Sequence, residues 1–165
     1  MRIKTKTAQL QIRVNGEQKR LIAHAAQRAG KDMSSYVLEL VLGVHENRLQ
    51  ELTGLLGNEA TRSYGYAELN DFLVSLSAPE LRRAVANLSF GSLPPEVANY
   101  VTAMIEQACV RAVIEAPAWT RKIKPLTKPL FGSQLGSLRL HLLANSPAPF
   151  KRRNVFIDTS IGGRV

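Results

Sequence analysis

Residues 8–42, AQLQIRVNGEQKRLIAHAAQRAGKDMSSYVLELVL, decide the reading of this chain. Leu10, Ile12 and Val14 alternate with Gln9, Gln11 and Arg13, the period-two pattern of a strand with one apolar and one polar face. A lone strand leaves both edges unpaired and is not stable in water, so its partner must come from elsewhere. An antiparallel ribbon made by two copies of the chain is the economical solution. Its exposed face would carry Gln9, Gln11 and Arg13 twice over. Asn15 then reads as a helix N-cap, with Gln18 three residues later completing a capping-box pair. Leu21, Ile22, Ala25, Ala26 and Ala29 recur at helical spacing. Gly16, in the first turn, costs the helix up to ~1 kcal/mol relative to alanine. Gly30 follows the last periodic residue as a left-handed cap. Ser34 reads as the N-cap of a second helix, with Asp32 nearby to favour its positive end. Tyr36, Val37, Leu40, Val41 and Val44 form the inner stripe of that helix. The apolar period runs on through Leu49, Leu52 and Leu55 to Leu56, where Gly57 would end it.

This order of one strand and two helices resembles the ribbon-helix-helix DNA-binding family, in particular its antitoxin branch, over residues 1–45. The resemblance implies a dimer that lays its ribbon in the major groove of double-stranded DNA. The family's groove-reading positions fall here on Gln9, Gln11 and Arg13. The chemistry suits them, since arginine matches guanine in bidentate fashion and glutamine matches adenine. The family's phosphate-clamping position falls on Met33 to Tyr36. Amides around Ser34 and Ser35, with the Lys31 ammonium, would form an anion site at the helix start. Lys4 and Lys6, in a charged arm over residues 1–7, would add phosphate contacts without sequence information.

The charge distribution agrees with this division. Of the formal +9 at pH 7, residues 1–31 hold eight basic residues against Glu17 alone, net +7. Residues 32–116 hold five basic and eleven acidic residues, net −6, and residues 117–165 nine basic residues against Asp158, net +8. A basic, strand-bearing N-terminus beside an acidic helical middle is the pattern of a DNA-binding arm on a protein-binding body. Cys109 is the single cysteine, so neither a disulfide framework nor a thiolate metal site is expected. No run approaches the ~18 apolar residues a membrane span needs, and the polar N-terminus is unlike a signal peptide. The expected compartment is the cytoplasm.

Beyond the first module, residues 46–116 read as a helical body. GNEATRSYGY at 57–66 reads as a turn or short linker, followed by helices at 67–76, 79–88 and 95–114. The last, behind Pro94 and Pro95, holds Val97, Tyr100, Val101, Met104, Ile105, Ala108, Ala112 and Val113 on its apolar side. Glu96 and Glu106 fall on the side expected to be solvated. Residues 117–165 read as a proline-containing basic tail, extended except for a short helix at 138–144 and a brief strand at 155–157. Trp119, Phe131, Phe150 and Phe156 stand out in this polar sequence. Either they staple the tail to the body, or, with Arg152 and Arg153, they anchor a partner protein. Around Pro117–Trp119 and Ser146–Asp158 the tail resembles small bacterial proteins paired with nucleotidyltransferase-type toxins, which implies a toxin partner and assigns no contact residue.

No phosphate-cradling glycine loop, H-E-x-x-H or G-x-S-x-G is present, and His24, His45 and His141 fall on separate helices. The chain is therefore expected to be no enzyme, and to need no cofactor and no metal. The expected architecture is mainly α: a dimeric ribbon-helix-helix, a small helical domain and the tail. The expected function is that of an antitoxin that binds operator DNA, represses its own operon and neutralises a toxin through its C-terminal part. The alternative is a ribbon-helix-helix regulator without a toxin, whose C-terminal part serves oligomerisation.

Overall fold

The computed structural model describes residues 11–90 and 93–158. The chain divides into two compact units, residues 1–42 and 43–165, and the architecture is mainly helical.

In the first unit, residues 11–15 take no regular secondary structure and are exposed. Helix α1 (Gly16–Arg28) begins as the sequence indicates. Asn15 Oδ1 accepts from the Gln18 amide at 2.8 Å, and Gln18 Oε1 accepts from the Asn15 amide at 3.0 Å. The helix ends in a full Schellman closure. Lys31 N–H reaches Ala26 O and Gly30 N–H reaches Gln27 O, both at 3.0 Å, with Gly30 at φ 65°. Helix α2 spans Met33–Leu42. Its cap is Asp32, not Ser34: the Asp32 carboxylate accepts from the Ser35 amide at 3.0 Å. An acidic cap satisfies the amides and the helix dipole at once, which places Ser34 and Ser35 inside the first turn. Helix α2 does not run on to Leu56 either. Gly43 adopts φ 57° and breaks the path, and α3 (Val44–Leu55) starts afresh behind it. Hydrophobic period alone does not register that break, because the apolar spacing continues across it.

In the second unit, α3, α4 (Glu59–Ser75), α5 (Ala78–Ala84) and α6 (Pro95–Arg111) enclose one core. Leu49, Leu52, Leu56, Leu69, Leu81, Val85, Val101 and Ile105 are sealed from water in it. The residues expected to form a linker at 57–66 are the first two turns of α4, which is capped by Asn58 Oδ1 on the Ala60 amide at 3.0 Å. Gly65 is therefore a contact residue. A Cβ there would sit 2.7 Å from Leu56 Cδ2, so its bare backbone is what lets α3 and α4 close. Helix α5 is fixed at its start by Glu80, whose carboxylate accepts from the Ser77 amide at 2.9 Å and the Ser77 hydroxyl at 2.6 Å.

The tail is not extended. A 3-10 turn at Ala118–Lys122, strand β1 (Leu130–Phe131), a second 3-10 turn at Gly136–Leu138, α7 (Arg139–Asn145), α8 (Ala148–Lys151) and strand β2 (Val155–Phe156) follow in order. The two strands pair in parallel, Leu130 with Val155 and Phe131 with Phe156. Phe150 and Val155 join the same core as α6. Val113, expected on the apolar side of the last long helix, lies past its end at φ 55° and is 90% exposed.

Candidate functional site

In the first unit, Gln11 and Arg13 are exposed, as are Ile12 and Val14 between and after them. Gln9, Lys4 and Lys6 lie outside the described residues. The start of α2 differs electrostatically from the expectation. Lys31 Nζ lies 2.7 and 2.9 Å from the two Glu39 oxygens, and the Asp32 carboxylate occupies the Ser35 amide. A phosphate approaching Ser34 and Ser35 would therefore meet one carboxylate at the helix start and a lysine whose charge is already partly balanced. Ser34 is exposed and Ser35 half-buried.

The unit also leaves apolar side chains uncovered. Ile12, Leu21 and Val41 are 58, 65 and 69% exposed, and Leu40 is 41% exposed. Tyr36 and Val37 are half-buried, so the expected inner stripe of α2 is covered only over its first half. A unit this small buries little with two helices, and Ala26 is its one fully buried apolar residue among those described.

In the second unit Trp119 and Phe150 hold the tail to the body, whereas Phe131 and Phe156 meet within the tail. Trp119 Nε1 donates to Val85 O at 2.8 Å, and its ring meets Phe90 edge-on. Phe150 is buried, edge-on to Tyr100, which stacks in turn on Tyr66. Phe131 and Phe156 stack on each other across the strand pair, with the Arg139 guanidinium 5.3 Å over the Phe131 ring.

Arg153 is 5% exposed and anchors the whole arrangement. Its Nη2 donates to Glu106 Oε1 at 2.6 Å and to Thr120 O at 2.9 Å. Nε donates to Glu106 Oε2 at 3.2 Å, and Nη1 reaches Ile123 O and Asn99 Oδ1. Asn99 completes the junction by donating to Lys124 O. Glu106, expected on a solvated face, is thus buried and paired, a role that its helical position could not announce without knowledge of Arg153. Arg152, by contrast, is exposed. Stapling accounts for Trp119, Phe150 and Arg153.

Burial, with the Glu106 carboxylate adding to it, pushes the Cys109 thiol up to about 11. Burial likewise pushes Tyr66 up to about 12, with smaller effects from Tyr100 and Arg62, and raises Tyr100. These groups are held neutral, the opposite of an activated thiolate or phenolate. Among the described residues no helix is long and apolar enough to cross a membrane.

Residues 9–87 match the model of the family described as Antitoxin TacA 1-like. The match runs from residue 9 through α1 to α5, so the chain is similar to an antitoxin family over this stretch. It ends before α6 and the tail. Neither the curated proteins nor the solved structures contain a match.

Proposed function

We propose that this chain is the antitoxin of a toxin–antitoxin pair, a non-enzymatic regulator that binds operator DNA as a dimer, represses its own operon and neutralises a toxin through its C-terminal part. The observation that carries the reading is the antitoxin-family match over residues 9–87, beginning at the segment whose alternation suggests a ribbon. The uncovered Ile12, Leu21, Leu40 and Val41 support a dimer, because a second copy offers the same apolar set in return. Gln9, Gln11 and Arg13 from two copies would read bases in the major groove. Lys4 and Lys6 would hold phosphate, with Ser34 and Ser35 contributing only if the Asp32 carboxylate gives way at the helix start and Lys31 only if its ion pair with Glu39 opens.

A regulator without a toxin is the second reading. It is favoured by the extent of the family match, which leaves residues 88–165, and with them the α6–tail junction, outside it. Selection of duplexes from a random pool tests the DNA half. An enriched inverted repeat, lost in Arg13→Ala, is expected, and uniform binding to all sequences would overturn base readout. Co-expression with the adjacent gene tests the toxin half. The tail's resemblance makes a nucleotidyltransferase-type toxin the first candidate. Rescue of growth is expected from the antitoxin, and its absence would leave the second reading.

A further inference from the structure

The second unit concentrates positive charge on the very segment that Arg153 draws together. Lys122, Lys124, Lys128, Arg139, Lys151 and Arg152 are all exposed, and none has a carboxylate within ion-pairing distance among the described residues. The backbone places them on one continuous stretch of structure. Arg153 binds the carbonyls of Thr120 and Ile123, and Leu126 N–H reaches Arg153 O. Asn154 Nδ2 reaches Leu126 O, Leu130 N–H reaches Asn154 O, and Arg139 covers Phe131 beside β2. Asp158, just after β2, lies 3.5 Å from His141, and two further acidic residues of the neighbourhood are engaged elsewhere. Glu115 pairs with Arg121, and Glu106 is buried against Arg153.

We propose that this surface is a second phosphate-binding face that grips the backbone of double-stranded DNA without reading its sequence. Three features favour a nucleic-acid backbone over a protein. Four of the six cations are lysines, which protein interfaces avoid and phosphate contacts use. Trp119 and Phe150, two of the four aromatic groups that could serve as interface anchors, are spent inside the fold, and Phe131 and Phe156 are engaged with each other and with Arg139. Along the sequence the charge is segregated, with nine basic residues against Asp158 in residues 117–165 and eleven of the acidic residues in 32–116, so the tail is not merely the mean of a basic protein.

The test is the salt dependence of duplex binding by the full chain. Lys124→Gln/Arg152→Gln is compared with Arg82→Gln/Arg111→Gln, which removes the same charge from exposed positions elsewhere in the unit. The first pair is expected to weaken binding to operator and random duplexes alike and to lower the slope of log K against log salt by about two. The second pair should leave the slope unchanged, and Lys124→Arg/Arg152→Lys should restore it. An unchanged slope in the first pair would overturn the proposal and leave these cations for an acidic protein. An equal loss in both pairs would reduce the effect to overall charge and overturn it as well. Operator reading fails separately: Arg13→Ala would then leave sequence preference unaltered while the Lys124/Arg152 effect persists.

Discussion

The guanidinium of Arg153 and the carboxylate of Glu106 meet at 2.6 and 3.2 Å inside the second unit, one from the turn after α8 and the other from the middle of α6. Removing either partner strands the other charge in the core. Arg153→Ala and Glu106→Ala are each expected to cost about 3–5 kcal/mol in denaturant unfolding. Replacing both by apolar residues of similar volume should cost less than the sum, and strictly additive losses in the double-mutant cycle would refute the coupling.

Gly65 sets two effects of opposite sign against each other. Alanine would gain up to ~1 kcal/mol of helix propensity at that position. Its Cβ would also fall 2.7 Å from Leu56 Cδ2 and 3.4 Å from Leu55 Cβ. Leu56 is fully buried and has no room to yield, so the overpacking cost of about 1–3 kcal/mol wins. Gly65→Ala should lower the melting temperature. A rise would show that α3 and α4 separate readily.

Val113 shows the converse. A β-branched residue at φ 55° pays roughly 1–2 kcal/mol for its left-handed backbone, and at 90% exposure its side chain recovers almost none of it. Val113→Gly should therefore stabilise the unit, after the entropy of a more flexible unfolded chain, by up to about 1 kcal/mol. Gly43→Ala, at a similar φ, should destabilise. Urea midpoints of the two variants should move in opposite directions.

Tyr66 and Tyr100 carry phenols raised by burial, Tyr66 to about 12. Their folded pKa lies above the unfolded value near 10, so the stabilisation is complete below pH 10 and is lost as pH rises towards 12. Stability should fall with alkali across that window, together with the rise in phenolate absorbance. Cys109, held up at about 11, should resist alkylation at neutral pH until the chain is unfolded. Rapid modification of the native protein would contradict its burial.

What the sequence disclosed and what it hid follow from the range of the interactions involved. The Asn15–Gln18 box and the Gly30 closure are complete within a few residues, so their residue types announce them. Asp32 and Ser34 both suit a cap, and local chemistry alone does not choose between them. Gly43 and Gly65 look alike as letters, yet one turns the backbone and the other admits Leu56, a difference that exists only in three dimensions. Glu106 read as solvated because its partner lies 47 residues further on. Residues 11–15 are exposed throughout, Ile12 and Val14 along with Gln11 and Arg13, so the alternation read in the sequence has no counterpart in burial here, and the parallel pairing of Leu130 and Phe131 with Val155 and Phe156 has no local signature.

The lateness of Arg153 also imposes an order on synthesis. A ribosome adding roughly 5–20 residues per second needs about 2–10 s to travel the 47 residues from Glu106 to its counter-ion. Throughout that interval the nascent α6 holds a carboxylate with no cation to receive it, and β1 waits for β2. The second unit is thus completed by its final segment, and a message cut short before codon 153 would yield a chain with an unfinished core, suited to degradation and unsuited to any partner.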